Sequence, residues 1–178
     1  YISVTGVQTC ALPIFTSQVS ANTTAGFSVV TYAGSGSGSS TVGHGLGVAP
    51  SMIIVKNRTN GTDWPVMHTS LPTNGNVFLD LTQAYQTTYG YGGIANPANS
   101  TTFGFVTGSS NGNQVYASGN NYVAYCFAAI AGYSAFGSYT GNGSADGPFV
   151  YCGFRPRFVM VKRARDRKST RLNSSHTD

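Results

Sequence analysis

The sequence predicts an all-β fold, an antiparallel β-sandwich of jelly-roll-like form. Short stretches rich in Val, Ile, Phe, Tyr and Thr recur along the chain, as is typical of strands. Gly, Asn and Ser separate these stretches and favour turns, because Gly and Asn accept positive φ and Asn and Ser bond nearby backbone. No stretch has a convincing helical pattern, so an antiparallel sandwich is favoured over a parallel sheet with crossover helices.

Two of the expected strands have the pattern of central strands. SMIIVK is an almost continuous apolar run, and YVAYCFAA carries apolar side chains on both faces, so both are predicted to be buried on both sides. Pro65 cannot donate to a ladder, which predicts an edge or a bulge for its strand. In chain order, the predicted strands cover residues 27–33, 51–57, 63–69, 76–82, 102–107 and 122–129.

The two ends of the chain are related at the level of DNA. VTGVQTCALPI, residues 4–14, and DRKSTRLNSSH, residues 166–176, can be encoded by complementary strands of one DNA sequence, and that DNA resembles a sequencing adapter. We therefore predict that residues 1–14 and 166–178 are adapter artefacts and exclude them from fold reasoning. Seven Lys or Arg and three Asp remain between them, so the intervening chain is basic.

An internal repeat organises the intervening residues. Tyr32-Ala33-Gly34 aligns with Tyr139-Thr140-Gly141, and GVAPSMIIVK at 47–56 aligns with GFRPRFVMVK at 153–162. Whether residues 133–165 complete the first unit or belong to a second is open, and unpaired edges in an unfinished unit would promote aggregation. The predicted division is a linker at 15–25, a first unit at 26–131 and the truncated start of a second unit at 132–165.

Carboxylates are scarce between the predicted adapters. Glycoside cleavage needs two carboxyl groups at the scissile bond. The chain has no Glu, and this region has only Asp63, Asp80 and Asp146. Asp80 has the pattern of a solvent-facing strand residue, and Asp146 lies in a turn sequence. We therefore predict that the chain is not an enzyme on its own, with a catalytic site shared between subunits left open. No cofactor is expected.

Histidine and cysteine add little chemistry. His44 and His68 lack the paired spacing of a metal site, so no metal is expected, and His68 has the pattern of a packed or hydrogen-bonded side chain. Cys126 and Cys152 are predicted to be free buried thiols rather than a disulfide.

Basic side chains at the ends of apolar strands form one candidate surface. Phosphate binding would use such a patch, but a terminal lysine also protects a strand edge, which is the interpretation we favour. The patch consists of Lys56, Arg58, Arg155, Arg157, Lys162 and Arg163.

A tyrosine-rich segment, QAYQTTYGYGGIANPANS, forms the other candidate surface. Tyrosine offers a flat apolar face with a polar tip, which suits sugars or protein partners. The alternative is that these rings pack over the end of the sandwich. The candidate binding residues are Tyr85, Tyr89, Tyr91 and Asn96.

Three stretches carry a resemblance to a known family: HGLGVAP, YVAYCFA and GSYTGNGSADGPFVY. Over about residues 20–165 the chain resembles an uncharacterised repeat family of tailed-bacteriophage virion and tail-associated proteins. The resemblance supplies no catalytic residues. It implies a structural or adhesion module of a phage tail or tail fibre, located in the virion.

The expected partners follow from that resemblance. They are other virion or tail proteins and host surface glycan or protein, in an oligomer, whereas a membrane and nucleic acid are not expected. Two alternatives remain open: a non-catalytic part of a carbohydrate-processing tail enzyme, and a virion protein that contacts nucleic acid through its basic strand ends.

Overall fold

Two antiparallel sheets form the fold in a computed structural model, which describes residues 16–87, 92–107 and 112–165. The predicted adapter stretches lie outside the described residues. No helix forms within the described ranges, and the predicted all-β class is confirmed. The strands are β1 (Ser17–Asn22), β2 (Phe27–Ala33), β3 (Thr41–Gly43), β4 (Met52–Asn57), β5 (Pro65–His68), β6 (Asn76–Phe78), β7 (Gly93–Ile94), β8 (Thr102–Val106) and β9 (Asn121–Phe127).

β4 and β9 lie in the interior of the larger sheet, as their apolar patterns predict. The six-stranded sheet has the order β1-β2-β9-β4-β5-β6, and the three-stranded sheet has the order β3-β8-β7. The β4–β9 ladder places Ile53 opposite Cys126 and Val55 opposite Ala124. All four of these side chains are fully buried, because they face the core between the two sheets.

The core between the sheets contains an aromatic cluster. Tyr32 stacks on Tyr122 with ring centroids 5.1 Å apart, and Phe103 and Phe105 of the smaller sheet approach Tyr32 at 6.1 and 5.9 Å. Aromatic pairs at such distances add to the stabilisation that burial gives. The core therefore draws on both sheets, which makes the arrangement a sandwich.

The two core tyrosines also hold a loop at the end of the sandwich. The Tyr32 hydroxyl donates to the Val115 carbonyl at 2.8 Å, and the Tyr122 hydroxyl donates to the Asn113 carbonyl at 3.0 Å. Tyr122 also accepts the Ala117 N–H at 3.0 Å. Burial raises the pKa of both tyrosines, so both phenols remain protonated donors at neutral pH.

The predicted linker at 15–25 is corrected, because β1 forms there. β1 pairs with β2 from Ser17 opposite Tyr32 to Asn22 opposite Phe27. Val19 is its one large apolar residue, so an edge strand held by backbone bonds left little signal in the sequence. β3 and β7 were missed for a related reason, since they contain three and two residues.

Pro65 lies at the first position of β5, and β5 is an inner strand between β4 and β6. The prediction of an edge or bulge is therefore wrong. The first residue of a strand is a position that Pro tolerates. Pairing of β5 with β4 stops at Val66 opposite Ile54, so no ladder bond to β4 is required from Pro65.

The second face of the larger sheet carries its own apolar cluster. Met52, Ile54, Val66 and Val77 are buried there. Phe136 and Ala164, from the part of the chain after β9, pack against this cluster, although residues 132–165 form no strand. Residues 132–165 therefore contact the larger sheet without adding a strand to it. Among the described residues, no helix has the length and apolarity needed to cross a bilayer.

Candidate functional site

The carboxylates of the first unit are engaged in structural hydrogen bonds. Asp63 accepts the side-chain amide of Gln114 at 3.0 Å, and Asp80 accepts the backbone N–H of Trp64 at 3.0 Å. Asp80 is exposed, as predicted, but it lies after the end of β6 at Phe78 and not within a strand. Asp146 lies in an exposed turn, as predicted. Within the described residues, no contact joins any two of these three carboxylates.

Both histidines of the described region form hydrogen bonds with backbone groups. His44 is fully buried, its Nε2 lies 3.1 Å from the Asn99 carbonyl, and its Nδ1 accepts the Leu46 N–H at 3.2 Å. His68 accepts the Ser70 N–H at 3.0 Å. Burial lowers the pKa of both rings, so both are neutral at physiological pH. His68 is thus the hydrogen-bonded histidine that the sequence predicts.

Cys126 and Cys152 differ in burial. Cys126 and Cys152 are both free thiols, as predicted, but only Cys126 is buried, so the prediction of a buried Cys152 is corrected. Burial raises the pKa of the Cys126 thiol to about 12, against a smaller opposing effect of the Ser28 hydroxyl. No group of three or more His, Cys, Asp or Glu within the described ranges is placed to hold a metal ion.

The tyrosine-rich segment is only partly described, because Tyr89 and Tyr91 lie outside the described residues. Tyr85 is half-buried against the apolar cluster on the second face of the larger sheet, and its N–H donates to the Ala164 carbonyl at 2.8 Å. This placement fits the packing alternative for Tyr85.

Asn96 is 5% exposed and holds the chain around it. Its side-chain amide donates to the carbonyls of His68, Leu71 and Pro72 at 3.1–3.3 Å. The Asn96 amide, which was predicted to contact a ligand, is therefore used in hydrogen bonds within the protein, and the side chain is too buried to bind a ligand at the surface.

The two lysines of the basic patch form hydrogen bonds with backbone carbonyls. Lys56 donates to the Thr62 carbonyl and lies 5.4 Å from the centre of the Trp64 ring, and Lys162 donates to the Leu81 carbonyl. The remaining four, Arg58, Arg155, Arg157 and Arg163, are exposed at residue level. Lys56 therefore anchors the end of β4, whereas Lys162 lies outside any strand and fixes the part of the chain after β9 to Leu81.

Within the described residues, Phe149–Val161 forms an exposed segment with many large apolar side chains, called here the exposed apolar segment. Phe149, Tyr151 and Phe158 are 89%, 82% and 81% exposed, and Val159 and Val161 are 67% and 63% exposed. A soluble monomer rarely keeps so many large apolar side chains in water along one stretch. Sequence patterning did not single out these residues, because the same pattern is typical of a buried strand.

The two aligned stretches share local turn geometry. Gly36 and its counterpart Gly143 have φ of 79° and 74°, and Gly47 and Gly153 have φ of 74° and 77°. Ser37 N–H donates to Ser35 Oγ at 2.9 Å, while Ser144 N–H donates to the Asn142 side chain at 3.0 Å. Matching bonds also join residues 37 to 39 and 144 to 146, both at 3.3 Å. The second stretch thus has the turn conformation of the first, although it forms no strand.

The chain matches a protein family described as a domain of unknown function, DUF7483, over residues 9–173. It belongs to this family. No curated protein and no solved structure matches the chain. The DUF7483 match includes the sandwich and the exposed apolar segment.

Proposed function

We propose that this chain is a non-enzymatic structural module of a tailed-bacteriophage virion protein, in the tail or tail fibre, and that it binds other protein. The observation that carries the proposal is the exposed apolar segment Phe149–Val161. Burying a large apolar side chain contributes about 1.5–3 kcal/mol relative to leaving it in water. Covering several members of this segment on a partner would therefore supply a substantial part of a binding free energy.

The engagement of the polar groups supports a structural role. The carboxylates of Asp63 and Asp80, and the rings of His44 and His68, each take part in a hydrogen bond that holds backbone or a neighbouring side chain. Groups used in this way stabilise a scaffold. The phage context itself comes from the resemblance of the chain to virion and tail-associated repeat proteins.

Association of the purified chain tests the protein-binding role. We expect its mass by light scattering to rise reversibly with concentration, because two exposed segments can cover each other when no other partner is present. The double variant Phe158→Ser, Val161→Ser should stay near the 18.6 kDa of one chain. Val48→Ser is the matched control, since Val48 is also an exposed valine but lies outside the segment. A wild-type chain that stays monomeric at every concentration would contradict the proposal.

Contact with a host surface belongs to the same proposal through the tyrosine-rich segment. The test is binding of the chain to glycan arrays and host cells, with Tyr89 and Tyr91 replaced by Ala. Tyr85→Ala is a less informative variant because Tyr85 packs against the sandwich. Saturable binding that persists without these two rings would remove this part of the proposal.

A further inference from the structure

The exposed segment includes the repeat counterpart of a central strand. RFVMVK at residues 157–162 aligns with SMIIVK at residues 51–56, most of which forms β4. In β4, Met52 to Val55 are all buried, whereas the counterparts Phe158 to Val161 are all exposed. The same apolar pattern thus occurs once with neighbouring strands and once without them.

The first unit identifies which strand lies beside such a sequence. β9 runs along the whole of β4, in a register that places Met52 opposite Phe127, Ile53 opposite Cys126 and Val55 opposite Ala124. β5 covers only Met52 to Ile54 on the other side. β9 therefore provides the longer of the two ladders.

We propose that Phe158–Lys162 accepts a β9-type strand, an uncharged extended peptide with the sequence character of NYVAYCF, as its antiparallel partner. The addition of a strand to an unpaired edge is an established mode of peptide recognition. In the expected register, Val159 lies opposite the Cys126 position of the incoming strand, and Val161 lies opposite the Ala124 position. This inference rests on the proposed protein-binding role and names the partner.

Charge favours a β9-type strand over a second copy of the same segment. Arg157 and Lys162 stand at opposite ends of the segment. Antiparallel pairing of two copies in a centred register would place Arg157 of one beside Lys162 of the other, and like charges directly opposite each other are destabilising. The self-association expected of the purified chain is therefore weaker than pairing with an uncharged strand. Asn121–Phe127 carries no charged side chain, so its pairing avoids this repulsion.

Register-specific cross-linking tests the proposal. The probe is a synthetic peptide, NYVAYCFAA, that corresponds to residues 121–129. It is offered, with an added thiol oxidant, to the full chain carrying Cys10→Ser and Cys152→Ser. Val159→Cys is the test variant, and Val161→Cys is the matched control, because both positions are exposed valines separated by one residue. Directly opposite residues lie within the Cα separation that a disulfide spans, whereas a position two residues along the strand is farther away. Cys126 of the chain itself is buried and does not compete.

We expect the peptide to form a disulfide with Val159→Cys several times faster than with Val161→Cys, and to lower the light-scattering mass of the self-associated chain. Equal rates of disulfide formation at the two positions, or no disulfide at either, would overturn the proposal that the partner is a β9-type strand. If self-association then persists, the protein-binding role stands and only its proposed partner fails. If the chain is also monomeric, both fail.

Discussion

Gly34 offers a direct test of the packing between β2 and the loop at the end of the sandwich. A Cβ at this position would lie 2.7 Å from the carbonyl carbon of Tyr116 and closer still to the Ala117 carbonyl oxygen. Carbon atoms in contact normally lie about 3.5–4.0 Å apart. Both neighbours are backbone, so no side-chain rotation relieves the overlap, and the Gly34 N–H to Asn120 carbonyl bond of 2.8 Å lies at the same point.

The repeat supplies a matched control at Gly141. Gly141 aligns with Gly34 and has nothing within 4 Å of an added Cβ. We expect Gly34→Ala to lower the free energy of unfolding by about 2–4 kcal/mol, from overpacking and a weakened hydrogen bond. Gly141→Ala should change it by about 0.5 kcal/mol or less. The measurement is the denaturant midpoint by circular dichroism, and similar midpoints for the two variants would refute the packing described at Gly34.

Three further predictions concern buried polar groups and thiols. Because burial holds the folded-state pKa of His44 below its ordinary 6.5, its contribution to stability is present above about pH 6.5 and is lost as the pH falls. His44→Gln should therefore flatten the fall in melting temperature on acidification, and an unchanged slope would count against the buried neutral ring. Asn96→Ala should cost about 1–3 kcal/mol in denaturant unfolding, because its amide donates to three carbonyls, and a neutral effect would contradict that role. A thiol reagent followed by peptide mass spectrometry should label Cys152 in the native chain and Cys126 only after denaturation, and equal native rates would disprove the burial of Cys126.

The sequence predicted the strands that carry strong apolar patterns. β2 and β4 lie where Val, Ile and Tyr recur, and β9 was recognised as central from apolar residues on both of its faces. β1 was missed because an edge strand with one large apolar residue is held by backbone pairing, which leaves no hydrophobic period.

Binding residues were harder to predict than strands. Tyrosine and asparagine are residue types that are typical of binding surfaces. The side-chain amide of Asn96, however, donates hydrogen bonds to three backbone carbonyls that are distant in sequence. Residues 158–161 have the pattern of a buried strand, and sequence alone does not say whether its neighbours are in place. The structure shows that β4 is paired with β9, whereas residues 158–161 are exposed and lie in no strand.

Hydrogen exchange of the dilute chain distinguishes paired from unpaired stretches, since backbone amides report strand pairing. We expect strong protection for amides of β4 and β9 and rapid exchange at Phe158–Lys162, the unpaired counterpart of β4. Protection at Phe158–Lys162 equal to that of β4, in a chain shown to be monomeric, would contradict this expectation.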